Sequence, residues 1–161
     1  MPTDGDIATV RRFYAALAAG DLATAEKCFH ENAVWQVPGN SRISGRHQTW
    51  PAIRDNFLAQ LRSLSGGTFR AEFLDLALGA DYIVAVGKGV AEHGGRRLDV
   101  SVCQLMRVQN EKIVEVRGHY SDPAALEEFF GLACDGQAMK RPAPGGSARR
   151  GTRRSGQPGR L

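Results

Sequence analysis

Residues 98–108 alternate as a half-buried strand, and one face of that strand carries Leu98, Val100, Val102, Gln104, Met106 and Val108. Gln104 is the lone polar group of this stripe. A buried amide left without partners costs about 1–3 kcal/mol. Gln104 is therefore either satisfied by neighbouring backbone or water, or it orients a ligand as both donor and acceptor. Near the end of the next strand Val114, Val116, Gly118 and Tyr120 share a face, which points the Tyr120 phenol toward the same interior. His93 ends a third stripe, Ile83, Ala85, Gly87, Gly89, Ala91, His93. It is either an acid or base near neutral pH or a solvent-exposed hairpin residue. Gln104, Tyr120 and His93 are the candidate catalytic groups. With no strong base among them, their chemistry is that of neutral donors holding a reactive conformer and stabilising developing charge.

The groups around them are apolar or small. Trp35 and Val37 on an early strand, with Phe13 and Tyr14 on the first helix, make an aromatic wall suited to flat apolar molecules. Val102, Met106, Val116 and Gly118 complete the expected lining. Gly87 and Gly89 on one strand face either leave room for an extended ligand or allow the sheet to curve. Turn order and alternation leave open whether His119 joins Tyr120 inside, through a bulge, or faces outward. The four histidines, His30, His47, His93 and His119, show no zinc-site spacing, and Cys28, Cys103 and Cys134 form no Cys-x-x-Cys pair. No metal and no cofactor is expected, and the thiols read as buried and free.

These groups need elements to hold them. Ile7, Val10, Phe13, Tyr14 and Leu17 recur at helical spacing before Gly20, predicting a helix over residues 6–19. Asp21 caps a short second helix. Residues 33–37 read as a strand broken by Pro38, Gly39 and Asn40. Pro51 opens a third helix with Ile53, Phe57, Leu61 and Leu64 on one side. From Thr68 the period becomes two, giving four strands joined by turns too short for parallel crossovers, hence an antiparallel meander. Ser121-Asp122-Pro123 caps a closing helix with Leu126, Phe129 and Phe130 inward. Helices first and a long sheet after imply an α+β domain: a cone-shaped α+β barrel in which N-terminal helices pack on a strongly curved, mostly antiparallel sheet that encloses a pocket.

The chain has 161 residues, 42% hydrophobic and 24% charged, ordinary values for one globular domain. Seven of its 21 basic side chains follow Asp135, with no acidic one among them. Residues 1–135 therefore carry a net charge of −3, and residues 136–161 read as a disordered basic tail, either solvated or touching nucleic acid or an anionic surface. Neither a membrane span nor a secretory leader is read, so a cytoplasmic location is expected.

Several segments are familiar in type. Phe13-Tyr14-Ala15-Ala16-Leu17-Ala18-Ala19-Gly20-Asp21-Leu22, Ala33-Val34-Trp35-Gln36-Val37-Pro38-Gly39, Ile43-Ser44-Gly45, Gly66-Gly67-Thr68-Phe69 and Lys112-Ile113-Val114-Glu115 resemble the SnoaL-like, ketosteroid-isomerase-related branch of the nuclear transport factor 2-like superfamily. The resemblance covers about residues 6–131. It implies the cone fold, a homodimer, and a hydrophobic small-molecule substrate. It puts the enolate-stabilising tyrosine of ketosteroid isomerases on Phe13, their general base on Val37 and their proton-donating aspartate on Gln104, so none of the three groups is carried. The aspartate of SnoaL-type cyclases falls on Gly118. The expectation is a cofactor-independent bacterial enzyme of secondary metabolism that cyclises, isomerises or dehydrates a polyketide-like or conjugated molecule. Two alternatives use the same fold: a small-molecule carrier without chemistry, and a protein-interaction module.

Overall fold

The computed structural model describes residues 1–133. Cys134 and the expected basic tail at 136–161 lie outside the described residues. Helix α1 spans Asp4–Ala19, α2 Leu22–Lys27, and strand β1 Phe29–Val37. β2 covers Gly45–Gln48, and a helical stretch then combines α3 (Trp50–Ala52), a π-helical segment (Ile53–Leu58) and α4 (Ala59–Leu64). β3 (Arg70–Leu78), β4 (Ile83–His93), β5 (Arg96–Gln109) and β6 (Lys112–Tyr120) follow, and α5 (Pro123–Phe130) closes the order.

Helix α1 begins earlier than its apolar spacing implied because Thr3 and Asp6 form a reciprocal cap. The Asp6 N–H donates to Thr3 Oγ1 at 3.2 Å, and the Thr3 N–H donates to Asp6 Oδ2 at 2.9 Å. Gly20, at φ 69°, ends the helix in the left-handed region that glycine adopts without strain. The same N-terminus is tied to the sheet. Glu111 N–H donates to Asp6 Oδ1 at 3.1 Å, and Thr9 Oγ1 donates to the Glu111 carbonyl at 3.1 Å.

The sheet has the order β2-β1-β6-β5-β4-β3. Strands β3 to β6 form the expected antiparallel meander, and β1 joins it in parallel against β6. The helices pack on the concave face of this curved sheet, giving the expected cone-shaped α+β fold. Strand β2 had no sequence signal, since Gly45-Arg46-His47-Gln48 is polar and only His47 is buried. Alternation in β4 and β5 follows the sequence reading. In β6 it does not. A register shift opposite Arg107 and Val108 turns Ile113 inward to full burial, while Val116 and Gly118 keep the inner face.

The core lies between α1, β1 and the middle of the sheet, where Val10, Phe13, Trp35, Ile83, Leu98, Met106, Ile113 and Val116 are buried. Each such side chain contributes about 1.5–3 kcal/mol relative to exposure. Helix α5 closes one end with Leu126, Phe129 and Phe130 inward, capped by the Asp122 carboxylate that accepts from Ala125 N–H at 3.1 Å. No helix among the described residues is long and apolar enough to cross a membrane.

Candidate functional site

Between the concave sheet face, helix α1 and the π-helical segment lies a cavity of about 700 Å³, open to solvent on one side. Its size is that of a site for a drug-sized ligand. Tyr14 and Leu17 of α1, Trp35 of β1, and Val100, Val102 and Gln104 of β5 line its walls. Phe57 and Leu58 come from the π-helical segment, Phe69 from the turn before β3, and Tyr120 from the end of β6.

Gln104 is buried, and its Oε1 accepts a hydrogen bond from the Tyr14 hydroxyl. Helical geometry explains the meeting. Phe13 faces the core, fully buried, with edge contacts to Phe29 and Trp35 at 5.1 and 5.8 Å. Tyr14, one position on, swings about 100° around the helix toward the sheet. Its ring stacks on Phe73 at 5.1 Å and its oxygen reaches Gln104. The resemblance puts the family's tyrosine on Phe13, whereas the phenol beside Gln104 stands at position 14.

Burial raises the pKa of Tyr14 well above the ordinary phenol value, and the neighbouring Tyr120 raises it further because two phenolates would repel. Burial pushes Tyr120 up to about 12. Both phenols are therefore protonated donors at neutral pH. Among the described residues the polar groups of the interior are neutral: the Tyr14 and Tyr120 hydroxyls, the Gln104 amide and the Trp35 indole N–H, in walls made of aromatic and aliphatic side chains. Among the described residues the charged groups lining the cavity are Arg54, Asp55, Arg62, Arg70, Glu72 and Lys88, all at its exposed rim.

Of the residues singled out from sequence, Gln104, Tyr120, Trp35, Tyr14, Gly89 and Val102 come together around this cavity. Phe13, Val37, Met106 and Val116 lie behind it in the core. His93 sits exposed on the β4–β5 hairpin, its ring against Gly66, and does not line the cavity. The stripe that carries it runs off the end of the enclosed sheet. His119 faces the outer surface, opposite Cys103.

The glycines have closer occupants than a ligand. A Cβ on Gly87 would overlap the Glu72 carbonyl oxygen, because β3 approaches there beside its bulge near Phe73. A Cβ on Gly89 would stand 3.3 Å from the Phe69 ring, and one on Gly118 would stand 3.1 Å from Tyr120 Cε2. Gly87 and Gly118 thus seat the β3 backbone and Tyr120, while Gly89 lies on the cavity wall beside Phe69.

The sequence reading did not single out Phe57, Leu58 or Phe69. Phe57 was legible as one apolar helix position, but the π-helical turn that aims this segment at the cavity has no sequence signature. Trp35, stacked on Phe29 and packed on Phe57 at 5.0 Å, keeps a buried Nε1–H without a hydrogen-bond partner among the described residues. Among the described residues no group of three or more His, Cys, Asp or Glu side chains is placed to hold a metal ion.

Comparisons with known proteins agree with this fold. Residues 10–116 match the family model described as the SnoaL-like domain. An uncharacterized protein of Mycobacterium tuberculosis (strain ATCC 25618 / H37Rv) is 32% identical, over 81% of this chain and 99% of its own. Among solved structures, Bal32a from a soil-derived mobile gene cassette is 38% identical, covers 79% of this chain and 97% of its own, and superposes with a TM-score of 0.75. An NTF2-like protein of Burkholderia xenovorans LB400, 18% identical over 81% of this chain and 98% of its own, shares the fold at a TM-score of 0.66.

Proposed function

The chain belongs to the SnoaL-like domain family, of nuclear transport factor 2-like fold, and from that premise we propose that it is a cofactor-independent enzyme acting on a flat, conjugated, polyketide-like small molecule. The observation that carries this reading is a cavity of about 700 Å³ with aromatic walls and one neutral polar cluster, Tyr14, Gln104 and Tyr120. Such a cavity binds an apolar ring system through area and shape, at about 25 cal/mol per Å² buried. The polar cluster then fixes the one oxygen that the ring system presents.

The reaction is cyclisation, isomerisation or dehydration of a substrate already prone to react. Proton abstraction needs a base with a pKa near the working pH, and none stands in the interior among the described residues. What the interior offers is confinement in a reactive conformer and hydrogen bonds to an oxygen that gains negative charge. The Tyr14 proton is committed to Gln104 Oε1, so the Gln104 amide N–H groups and the Tyr120 hydroxyl are the donors left for the ligand.

The neutrality of the interior also favours a second reading, a carrier that binds the same class of molecule without converting it. Gln104→Leu separates the two. In an enzyme it lowers turnover more than affinity, whereas in a carrier affinity is all that changes. The measurement is product formation from a panel of conjugated polyketide-like compounds, followed by absorbance and mass spectrometry beside binding isotherms for both proteins. Detectable turnover in the parent that falls in the variant supports the enzyme. Binding without turnover in the parent supports the carrier.

A homodimer through the convex sheet face belongs to the same proposal. Val84, Val86 and Val90 are half-buried there, on the side of the sheet away from the cavity.

A further inference from the structure

We propose that the ligand of this cavity is an anion: an apolar conjugated body with one negatively charged group that Arg62 and Arg70 hold at the mouth. The inference rests on the reading of the cavity as a small-molecule site and adds a charge to the substrate class. Arg62 on α4 and Arg70 at the start of β3 are exposed, line the opening, and flank the same turn. That turn is well fixed. Gly67 N–H donates to the Arg62 carbonyl at 2.7 Å, and Thr68 Oγ1 donates to the Glu92 carbonyl at 2.7 Å.

The other two rim cations already have partners, Arg54 with Asp55 at 2.7 Å and Lys88 with Asp99 at 3.5 Å. Among the described residues Arg62 and Arg70 make no ion pair. Glu72 is the one rim carboxylate that makes none either, so one positive charge remains in excess among the unpaired groups. This excess runs against the charge of the body, since residues 1–133 carry 14 basic and 16 acidic side chains. Guanidinium forks fit oxyanions geometrically, and at a rim they do so without the cost of dehydrating a charge inside the cavity. An apolar body inside and an anion outside also fix the direction in which the molecule enters, which decides the end that meets Gln104.

Two fluorescent probes that differ only in charge test this. 1-Anilinonaphthalene-8-sulfonate is an anion, and N-phenyl-1-naphthylamine is the same ring system without the sulfonate. Titrated into the full chain at low salt, the sulfonate is expected to bind roughly fivefold more tightly, as two partly exposed ion pairs allow. The gap closes in Arg62→Gln/Arg70→Gln with the neutral probe unaffected, persists in Arg62→Lys/Arg70→Lys, and narrows as salt is raised. Circular dichroism confirms that each variant is folded. Equal affinities in the parent, or a gap that survives the glutamine pair, overturn the anion inference and leave the small-molecule cavity standing. If neither probe binds, or if Ala59→Trp at the cavity mouth weakens neither, the reading of the cavity itself fails and the anion inference with it.

Discussion

The Tyr120 ring covers Gly118: a Cβ built on that glycine would lie 3.1 Å from Cε2 and 3.3 Å from the hydroxyl of the tyrosine two residues on. Gly118 pairs with Gln104 across β5 and β6, so this seat brings the Tyr120 phenol to the polar cluster. Any larger side chain at 118 must push the ring away. Gly118→Val is expected to cost about 1–3 kcal/mol by overpacking, measured by urea unfolding. It should also weaken ligand binding more than Val102→Ala, which removes bulk from the cavity wall without touching Tyr120.

The Tyr14–Gln104 bond joins α1 to the middle of the sheet. Tyr14→Phe leaves a buried amide oxygen unpaired, and Gln104→Leu leaves a buried hydroxyl unpaired, so each is expected to cost about 1–3 kcal/mol. The double variant removes both partners and should cost less than the two single losses added together. A double-mutant cycle by chemical denaturation measures that coupling. Strict additivity would mean that the two groups do not interact in solution.

Alkaline pH tests the buried phenols. Tyr120 is raised to about 12 and Tyr14 is raised as well, against an unfolded value near 10. The folded state therefore holds these protons more tightly than the unfolded state. The stability they support is complete below about pH 10 and is lost as pH rises toward 12. Absorbance at 295 nm should show a phenol ionising near pH 12 that disappears in Tyr120→Phe. If Tyr120→Phe instead removes a phenol that ionises near pH 10, Tyr120 stands in water.

Acid tests the other end of α1. Burial alone would raise the Asp6 carboxyl, but hydrogen bonds from the Thr3 backbone and hydroxyl and from the Glu111 N–H outweigh it and hold the group below its usual value. Its contribution is present above about pH 4 and is lost as pH falls through the lowered value. Asp6→Ala should cost about 0.5–2 kcal/mol at neutral pH through the lost cap and flatten the acid limb of the stability curve.

Much of this was legible in the sequence, and the reasons are particular. Gln104 announced itself as one amide in a six-residue apolar stripe, because strand alternation assigns every side chain a face. Tyr120 followed from the same parity, although the bulge near Val114 broke it earlier in β6. His93 had the right parity and the wrong depth, since alternation gives a face but not where the enclosed part of a strand ends. For Gly87 and Gly89 the sequence left two readings open, room for a ligand or curvature of the sheet, and Gly89 lies on the cavity wall. Whether Gly87 faces a ligand or the Glu72 carbonyl depends on how closely β3 approaches, a cross-strand distance that no local pattern encodes. The tyrosine at the polar cluster came from Tyr14 rather than Phe13, a difference of one helical step that only the packing of Phe13 against Trp35 decides.

In the function proposed above, a flat conjugated molecule enters the cavity and meets Gln104 and Tyr120. Thermal unfolding of the protein, with and without a panel of polycyclic aromatic, steroid and polyketide-like compounds, tests it most directly. A compound present at about 100 times its dissociation constant adds roughly 2.7 kcal/mol of stability, a rise of several degrees in the midpoint for a domain of this size. One class of flat compounds is expected to give this rise, and Ala59→Trp at the cavity mouth to abolish it without lowering the midpoint of the free protein. A panel in which nothing moves the midpoint of a folded protein, or in which the rise survives in Ala59→Trp, would contradict it.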